Sequence, residues 1–302
     1  MGNATLRKPA GRLAIGLYLA VVAAATARIA HLDGWEWPAW AVLLGFVATF
    51  AADRVEAPEL RSLVAGAAIW GGLTWVIAYL PDLWFRIAFH LNHAENYLWR
   101  ANHLMAAIPF NDGRFLWSHQ YAPLTRLMRW IYITGFDMVL WIPLVRSLVA
   151  FDAFKVARYS LAAHLVQFPL IMPFYTAIRV DEVWSVLGDP DRCERGWTNE
   201  MRLNIGANCF PSMHTSVAFA ILLLSLREKS RVFRWAMVVY STSIIVSTVY
   251  MEIHWLVDVA GGLLLAVGSV KIVDYIIARW NSAPAACPET ATPGKWMLWR
   301  LR

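Results

Sequence analysis

The sequence predicts an all-α, polytopic membrane protein, and three observations carry that expectation. Hydrophobic residues make up 59% of the 302 positions and charged residues only 16%, with a mean hydropathy of +0.46. That balance is more apolar and less charged than a water-soluble domain carries. The apolar residues gather in runs of about 17 to 25, the length a helix needs to cross a bilayer. Many of the 17 Trp lie near the ends of such runs, where aromatic belts anchor membrane interfaces.

The expected spans run over 13–31, 37–52, 62–80, 130–150, 158–178, 211–227, 235–252 and 255–279, about eight in all. The second and sixth are short, as tilted or re-entrant elements are. The first, "LAIGLYLAVVAAATARIA" after the basic "RKPAGR", also has the look of a signal peptide, since "ATA" mimics a cleavage site. We read it as an uncleaved span, because apolar character continues past it and the topology is then consistent. Residues 1–80 are thus N-terminal transmembrane helices. Residues 81–125 change character: "FRIAFHLNHAENYLWRANHLMAAIPFNDGRFLWSHQYAP" is rich in Trp, His, Asn and Arg, which suits interfacial helices. Residues 126–280 form the expected catalytic transmembrane core, and 281–302, with "NSAPAACPETATPGK", a disordered cytoplasmic tail.

Orientation follows from lysine and arginine, which short cytoplasmic loops retain. "REKSRVFR", "RKPAGR", "FKVAR" and "WMLWRLR" all fall on one side, which places 81–125, 179–210 and the starts of the sixth and last spans on the non-cytoplasmic face. A plasma-membrane location is expected. The net charge of +6 and pI of about 9.4 reflect this topology and contact with anionic lipid. No arginine–aromatic pattern asks for nucleic acid. Cys193 and Cys209 share the long outer loop and are candidates for a disulfide, while Cys287 falls on the cytoplasmic side.

Chemistry concentrates in two stretches. In "CFPSMHTS", Pro211 fits a first helical turn and Ser212 supplies a hydroxyl beside that turn's orphan N–H groups. A helix start favours anions, so a phosphate could dock there with His214 placed to protonate a departing oxygen. In "YMEIHWLVD", His254 and Asp258 stand four apart, on one face of a helix, so that the carboxylate can orient the imidazole. Ser247 precedes His254 by seven residues and shares that face if the helix is unbroken. Gly261 and Gly262 would admit a neighbouring helix.

Each element also has a plainer reading. A histidine near a span end is commonly a packing or interfacial residue, although ionisable groups within spans point to function because their burial is costly. The residues alone leave a phosphate site and a metal site both open. Asn204 and Asn208 are headgroup-contact candidates or simple turn formers. Glu252, two residues before His254, reads as a solvated charge at a span end. His90 and His93 lack a third ligand, so no metal and no cofactor is expected.

"PSMHTS", followed one helical hairpin later by "STVYMEIHWLVDVAGG", resembles the second and third signature motifs of the type 2 phosphatidic acid phosphatase superfamily. The likeness is close over about 70 residues and loose over 126–279. It implies a six-helix-type bundle, with His254 as the nucleophile toward phosphorus, Asp258 as its orienting partner, His214 as the acid and Ser212 as a phosphate ligand. Three departures stand out. Met213 occupies a glycine position, Thr248 after Ser247 occupies an arginine position, and no first motif precedes the outer loop, where Arg179 is the nearest cation. A hydroxyl is a poor substitute for a bidentate guanidinium. "STVY…HWLVDVAGG" is thereby more similar to the inositol phosphorylceramide synthase and sphingomyelin synthase branch.

The expected enzyme is metal-independent, and beside Ser212 the candidates for phosphate contact in this sequence are Arg179, Ser247 and Thr248. Its expected partners are a phospholipid donor, a lipid hydroxyl acceptor and the bilayer. Oligomeric state stays open. Hydrolysis of a lipid phosphate or polyprenyl pyrophosphate is the alternative within the superfamily. A proton-coupled lipid transporter using His214, His254 and Asp258 is the alternative of another class, against which stands the lack of two related, broken-helix halves.

Overall fold

The computed structural model describes residues 9–56, 58–75, 97–116 and 121–282. These are mostly helical. The chain opens with α1 (Pro9–Leu32), then α2 (Trp37–Val47), where Pro38 occupies the first turn and a 3₁₀ segment, Ala48–Asp53, continues the helix. A third helix, α3, runs over 60–75, and short β1 (Trp99–Arg100) and α4 (Asn102–Ala107) follow.

From residue 122 the helices become longer. α5 (Ala122–Trp130) passes through a π turn, Ile131–Gly135, into α6 (Phe136–Val149), and the three form one apolar rod of 28 residues. Asp152 caps α7 (Ala153–Ser160) by accepting from the Lys155 N–H at 3.0 Å. A second π turn, Leu161–Leu165, leads to α8 (Gln167–Ala177). β2 (Ile178–Arg179) pairs with β1 in parallel, and α9 (Val183–Leu187) ends on Gly188, whose φ of 77° is left-handed. Thr198 caps α10 (Asn199–Asn204), Ser212 caps α11 (Met213–Ser225), and Ser230 caps α12 (Arg231–Tyr250), which turns sharply into α13 (Leu256–Ser282).

Among the described residues, four helices are long and apolar enough to cross a membrane: Gly11–Leu32, Ala122–Val149, Arg231–Tyr250 and Leu256–Arg279. The other expected spans fall short for identifiable reasons. Trp37–Asp53 and Met213–Ser225 are apolar but short. At about 1.5 Å per residue, the 13 residues of α11 cover about 20 Å of a hydrocarbon core about 30 Å thick. The expected 158–178 span is interrupted at Val166, a turn between the π segment Leu161–Leu165 and α8, and the expected 62–80 span runs past the described residues. Residues 81–96 and 117–120 of the expected interfacial segment and 283–302 of the expected tail, with His90, His93 and Cys287, lie outside the described residues.

α11 sits at the centre, packed by α12, α13 and α6, and its side chains from Thr215 to Leu222 are largely buried. Around it α1, α2, α3, α6, α7, α12 and α13 contribute to one apolar core. Val232, Trp235 and Val239 on α12 and Leu264, Ile272 and Tyr275 on α13 face outward. An apolar surface of this kind suits lipid.

A buried ionic network closes the end of the bundle where α11 finishes and α12 begins. Arg146 pairs with Asp53 and with Glu228 at 3.2 Å, and Lys155 Nζ reaches Asp53 at 2.9 Å and Glu228 at 2.6 Å. Tyr159 OH donates to Glu228 at 3.0 Å, and the Lys229 N–H donates to Asp53 at 3.0 Å. Burial pushes the Asp53 carboxyl upward, but its bonds to Arg146 and Lys155 outweigh that and hold it below the usual carboxylate range. The network ties the end of α2 to α6, α7 and the α11–α12 loop, and leaves the other end of the bundle for chemistry.

Candidate active site

The first histidine is positioned by a helix start. Ser212 precedes α11 in extended backbone, and its Oγ accepts from the Thr215 N–H at 3.2 Å. Its own N–H donates to the Asp258 carbonyl at 3.0 Å, so the two sequence motifs are joined through backbone. Tyr175 OH donates to the Pro211 carbonyl at 3.1 Å. The approach of α13 requires its glycines: a Cβ at Gly262 would lie 2.6 Å from the Ser212 oxygen, and one at Gly261 would lie 3.0 Å from Phe210 and Pro211.

His214, in the first turn of α11, packs against two rings from the π turn and the helix after it. The Tyr132 ring stacks on the imidazole at 4.5 Å and 14°, and Phe136 lies 3.9 Å away at 35°. A π turn inserts an extra residue into a helix and recurs at functional sites. Here it brings both aromatic side chains onto one imidazole.

The second histidine sits in a turn, not in a helix. Thr248 O accepts from the N–H groups of both Ile253, at 3.0 Å, and His254, at 3.2 Å, folding the chain between α12 and α13. Asp258, in the first turn of α13, accepts from the Trp255 N–H at 2.9 Å, and its Oδ2 lies 3.5 Å from His254 Nδ1. The expected helix face shared by His254 and Asp258 is thus replaced by a turn that still brings them together. At 3.5 Å the pair is longer than a well-made hydrogen bond. His254 Nδ1 and Asp258 Oδ1 are both buried without a hydrogen-bond partner. The rings of His214 and His254 are 6.1 Å apart between centroids.

Several expected contacts are corrected. Because the helix breaks after Tyr250, Ser247 does not share a face with His254, and its hydroxyl donates to Ile244 O at 2.7 Å. The Thr248 hydroxyl donates to Ile245 O at 2.8 Å, and it is the Thr248 carbonyl that shapes the turn. Arg179 is engaged with Asp181, with Nε at 3.0 Å from Oδ1, rather than with the histidines. Cys193 and Cys209 are free thiols buried in separate apolar clusters, not a disulfide. Burial pushes the Cys193 thiol up to about 12. Asn208 forms an isolated bridge with Val180, and the side chain of Asn204, which ends α10, lies outside the described residues.

Glu252 is the largest surprise. Expected in solvent, it is fully buried in left-handed backbone at φ 58°, with both carboxylate oxygens 2.8 Å from Arg192 nitrogens. This bidentate pair anchors the turn that carries His254 to the outer loop. Arg195 makes a second anchor, at 2.9 and 2.6 Å from Glu182 and 2.9 Å from Asp191. Burial disfavours its charge, but these carboxylates outweigh burial and keep it protonated. Arg129 links α5 to the same loop through the Arg192 carbonyl at 2.8 Å and a bidentate contact with Glu194. Asn111 holds the start of α13, its carbonyl accepting from Leu256 N–H at 2.8 Å and its Oδ1 from Val257 N–H at 2.9 Å.

Two histidines, a carboxylate behind one of them and a capped helix start together make a site suited to an anion and to proton transfer. Residues 180–282 match the family model described as the PAP2 superfamily. This segment is a PAP2 domain. It comprises α9 to α13 and holds Ser212, His214, His254 and Asp258, while Tyr132, Phe136 and Arg129 reach it from α5–α6 outside the matched segment. No curated protein and no solved structure matches the chain. The match and the four apolar helices support a membrane protein with a phosphatase- or phosphotransferase-type lipid function.

Proposed function

We propose that the chain is a membrane phosphotransferase that moves a phosphorylated headgroup from a phospholipid to a lipid hydroxyl, in the manner of an inositol phosphorylceramide synthase. The observation that carries this reading is the opposed histidine pair, 6.1 Å between ring centroids, with Asp258 behind His254 alone. Asymmetric backing suits asymmetric roles: an oriented imidazole attacks, and the other moves the proton.

In the first step a His254 nitrogen forms a bond to phosphorus while the bond to the donor's lipid oxygen breaks, and that oxygen takes the proton from His214. In the second step His214 removes the proton of the acceptor hydroxyl, whose oxygen bonds to phosphorus as the P–N bond breaks. The N–H groups at the α11 start favour the phosphate charge throughout. Neither step needs a metal in this scheme. Ser212 serves as helix cap and as phosphate ligand through the same turn. Arg179, held by Asp181, and the hydroxyls of Ser247 and Thr248, turned onto their own helix, have less part in it.

Hydrolysis differs only in the acceptor, water replacing the lipid alcohol. Thr248 in the arginine position of the phosphatase pattern favours transfer. The lysine and arginine distribution supports an active site on the non-cytoplasmic face of the plasma membrane. The test uses protein reconstituted in lipid with phospholipids labelled in phosphate and headgroup, with and without ceramide or diacylglycerol. Transfer predicts His254-dependent movement of label into a new lipid. Release of water-soluble phosphate without a new lipid makes the chain a phosphatase, and no turnover returns attention to transport.

A further inference from the structure

Cys209, three residues before Ser212, plays no part in the chemistry above, yet its sulfur belongs to the same constellation. One ligand atom each from Cys209, His254 and Asp258 lie within 4.8 Å of one another, and all three residues are buried. The thiol has only long contacts, to Gly206 O at 3.6 Å and Ile253 O at 3.8 Å. Beside it, His254 Nδ1 and Asp258 Oδ1 are buried without hydrogen-bond partners. Three buried donors of different type, with one nitrogen and one carboxylate oxygen that lack hydrogen bonds, gather within 4.8 Å of one another. A mixed sulfur, nitrogen and oxygen set is the kind that a borderline-soft divalent ion prefers.

We propose that Cys209, His254 and Asp258 form an inhibitory zinc-binding site that overlaps the catalytic histidine. Zinc at about 2.3 Å from sulfur and about 2.1 Å from nitrogen and oxygen holds its ligands about 3.5 Å apart, so the cluster contracts by about an ångström on binding. The thiol loses its proton to solvent as the Zn–S bond forms. Thiolate and carboxylate then neutralise the ion, which makes the complex tolerable in a buried setting. Occupancy removes either the nitrogen that attacks phosphorus or the contact that orients it. Metal binding and turnover therefore exclude each other. The inhibitory consequence rests on the proposed role of His254, whereas the binding itself does not.

The experiment is titration of metal-free, full-length protein in nanodiscs with Co²⁺, followed by competition with Zn²⁺ and, separately, by lipid turnover with and without Zn²⁺. The expected result is one cobalt per chain with a near-ultraviolet thiolate-to-cobalt charge-transfer band that Zn²⁺ abolishes. Cys209→Ser should lose the band and weaken zinc binding at least about tenfold, while Cys193→Ser keeps both. Turnover by Cys209→Ser should persist in zinc that stops the wild type. A wild type with no thiolate band, or a Cys209→Ser protein that binds and is inhibited unchanged, overturns the site and leaves Cys209 a packing thiol only. A wild type that shows the band but never turns over lipid keeps the metal site and sinks the catalytic reading instead.

Discussion

His254 and His214 carry unequal burdens in this account, and single substitutions separate them. His254→Ala should abolish turnover, a loss of more than about a thousandfold. His214→Ala should lose about 10²–10⁴-fold, the range for general acid catalysis. Asp258→Asn should fall in a similar range with little change in KM, since it orients a neighbour and touches no substrate. The aromatic pair against His214 makes a subtler prediction. Tyr132→Leu and Phe136→Leu should each lower kcat about ten- to a hundredfold by freeing the imidazole, with KM for phospholipid nearly constant. Steady-state kinetics in mixed micelles checks all five. The residue types of this site were legible in the sequence because their spacing is local: Ser212 and His214 are two apart, and His254 and Asp258 are four apart. Glu252 was misread for the opposite reason. Its partner Arg192 is 60 residues away, and nothing periodic in the sequence links them. Asn111 is hidden in the same way, 146 residues from the helix start it holds.

At the scale of elements, the site depends on how closely α13 meets the start of α11. Gly262→Ala would set a methyl 2.6 Å from the Ser212 carbonyl oxygen, which backbone cannot absorb in place. We expect a loss of about 1–3 kcal/mol from overpacking, together with reduced turnover in the molecules that remain folded. Thermal denaturation in detergent and activity at fixed folded concentration check the two effects. Hydropathy located most of the helices but not their interruptions. Both π turns arise where an extra residue is accommodated inside an apolar run, and apolar composition is the same with or without that residue. The shortness of α11 was visible as a run cut off by the polar "REKS", yet its central position was not, because burial on every side depends on neighbours.

For the whole molecule, the two ends of the bundle divide the labour between chemistry at one and ionic anchoring at the other. Glu228→Ala should leave Arg146 and Lys155 without one of the two carboxylates they share and cost about 3–5 kcal/mol of stability. It should leave kcat per folded molecule unchanged, since the histidines lie at the opposite end. A Cys287→Ser background with Pro190→Cys or Lys229→Cys, both exposed positions, tests the orientation. A membrane-impermeant maleimide added to intact cells should label the first and not the second. Underlying all of this is the claim that phosphorus passes through His254, and the most direct test is rapid quenching of the reconstituted enzyme with phosphate-labelled phospholipid. Mass analysis of the peptides is predicted to find an acid-labile label on His254, lost when acceptor lipid is chased in. Turnover that proceeds with label on another residue, or equally well in His254→Ala, would contradict the account.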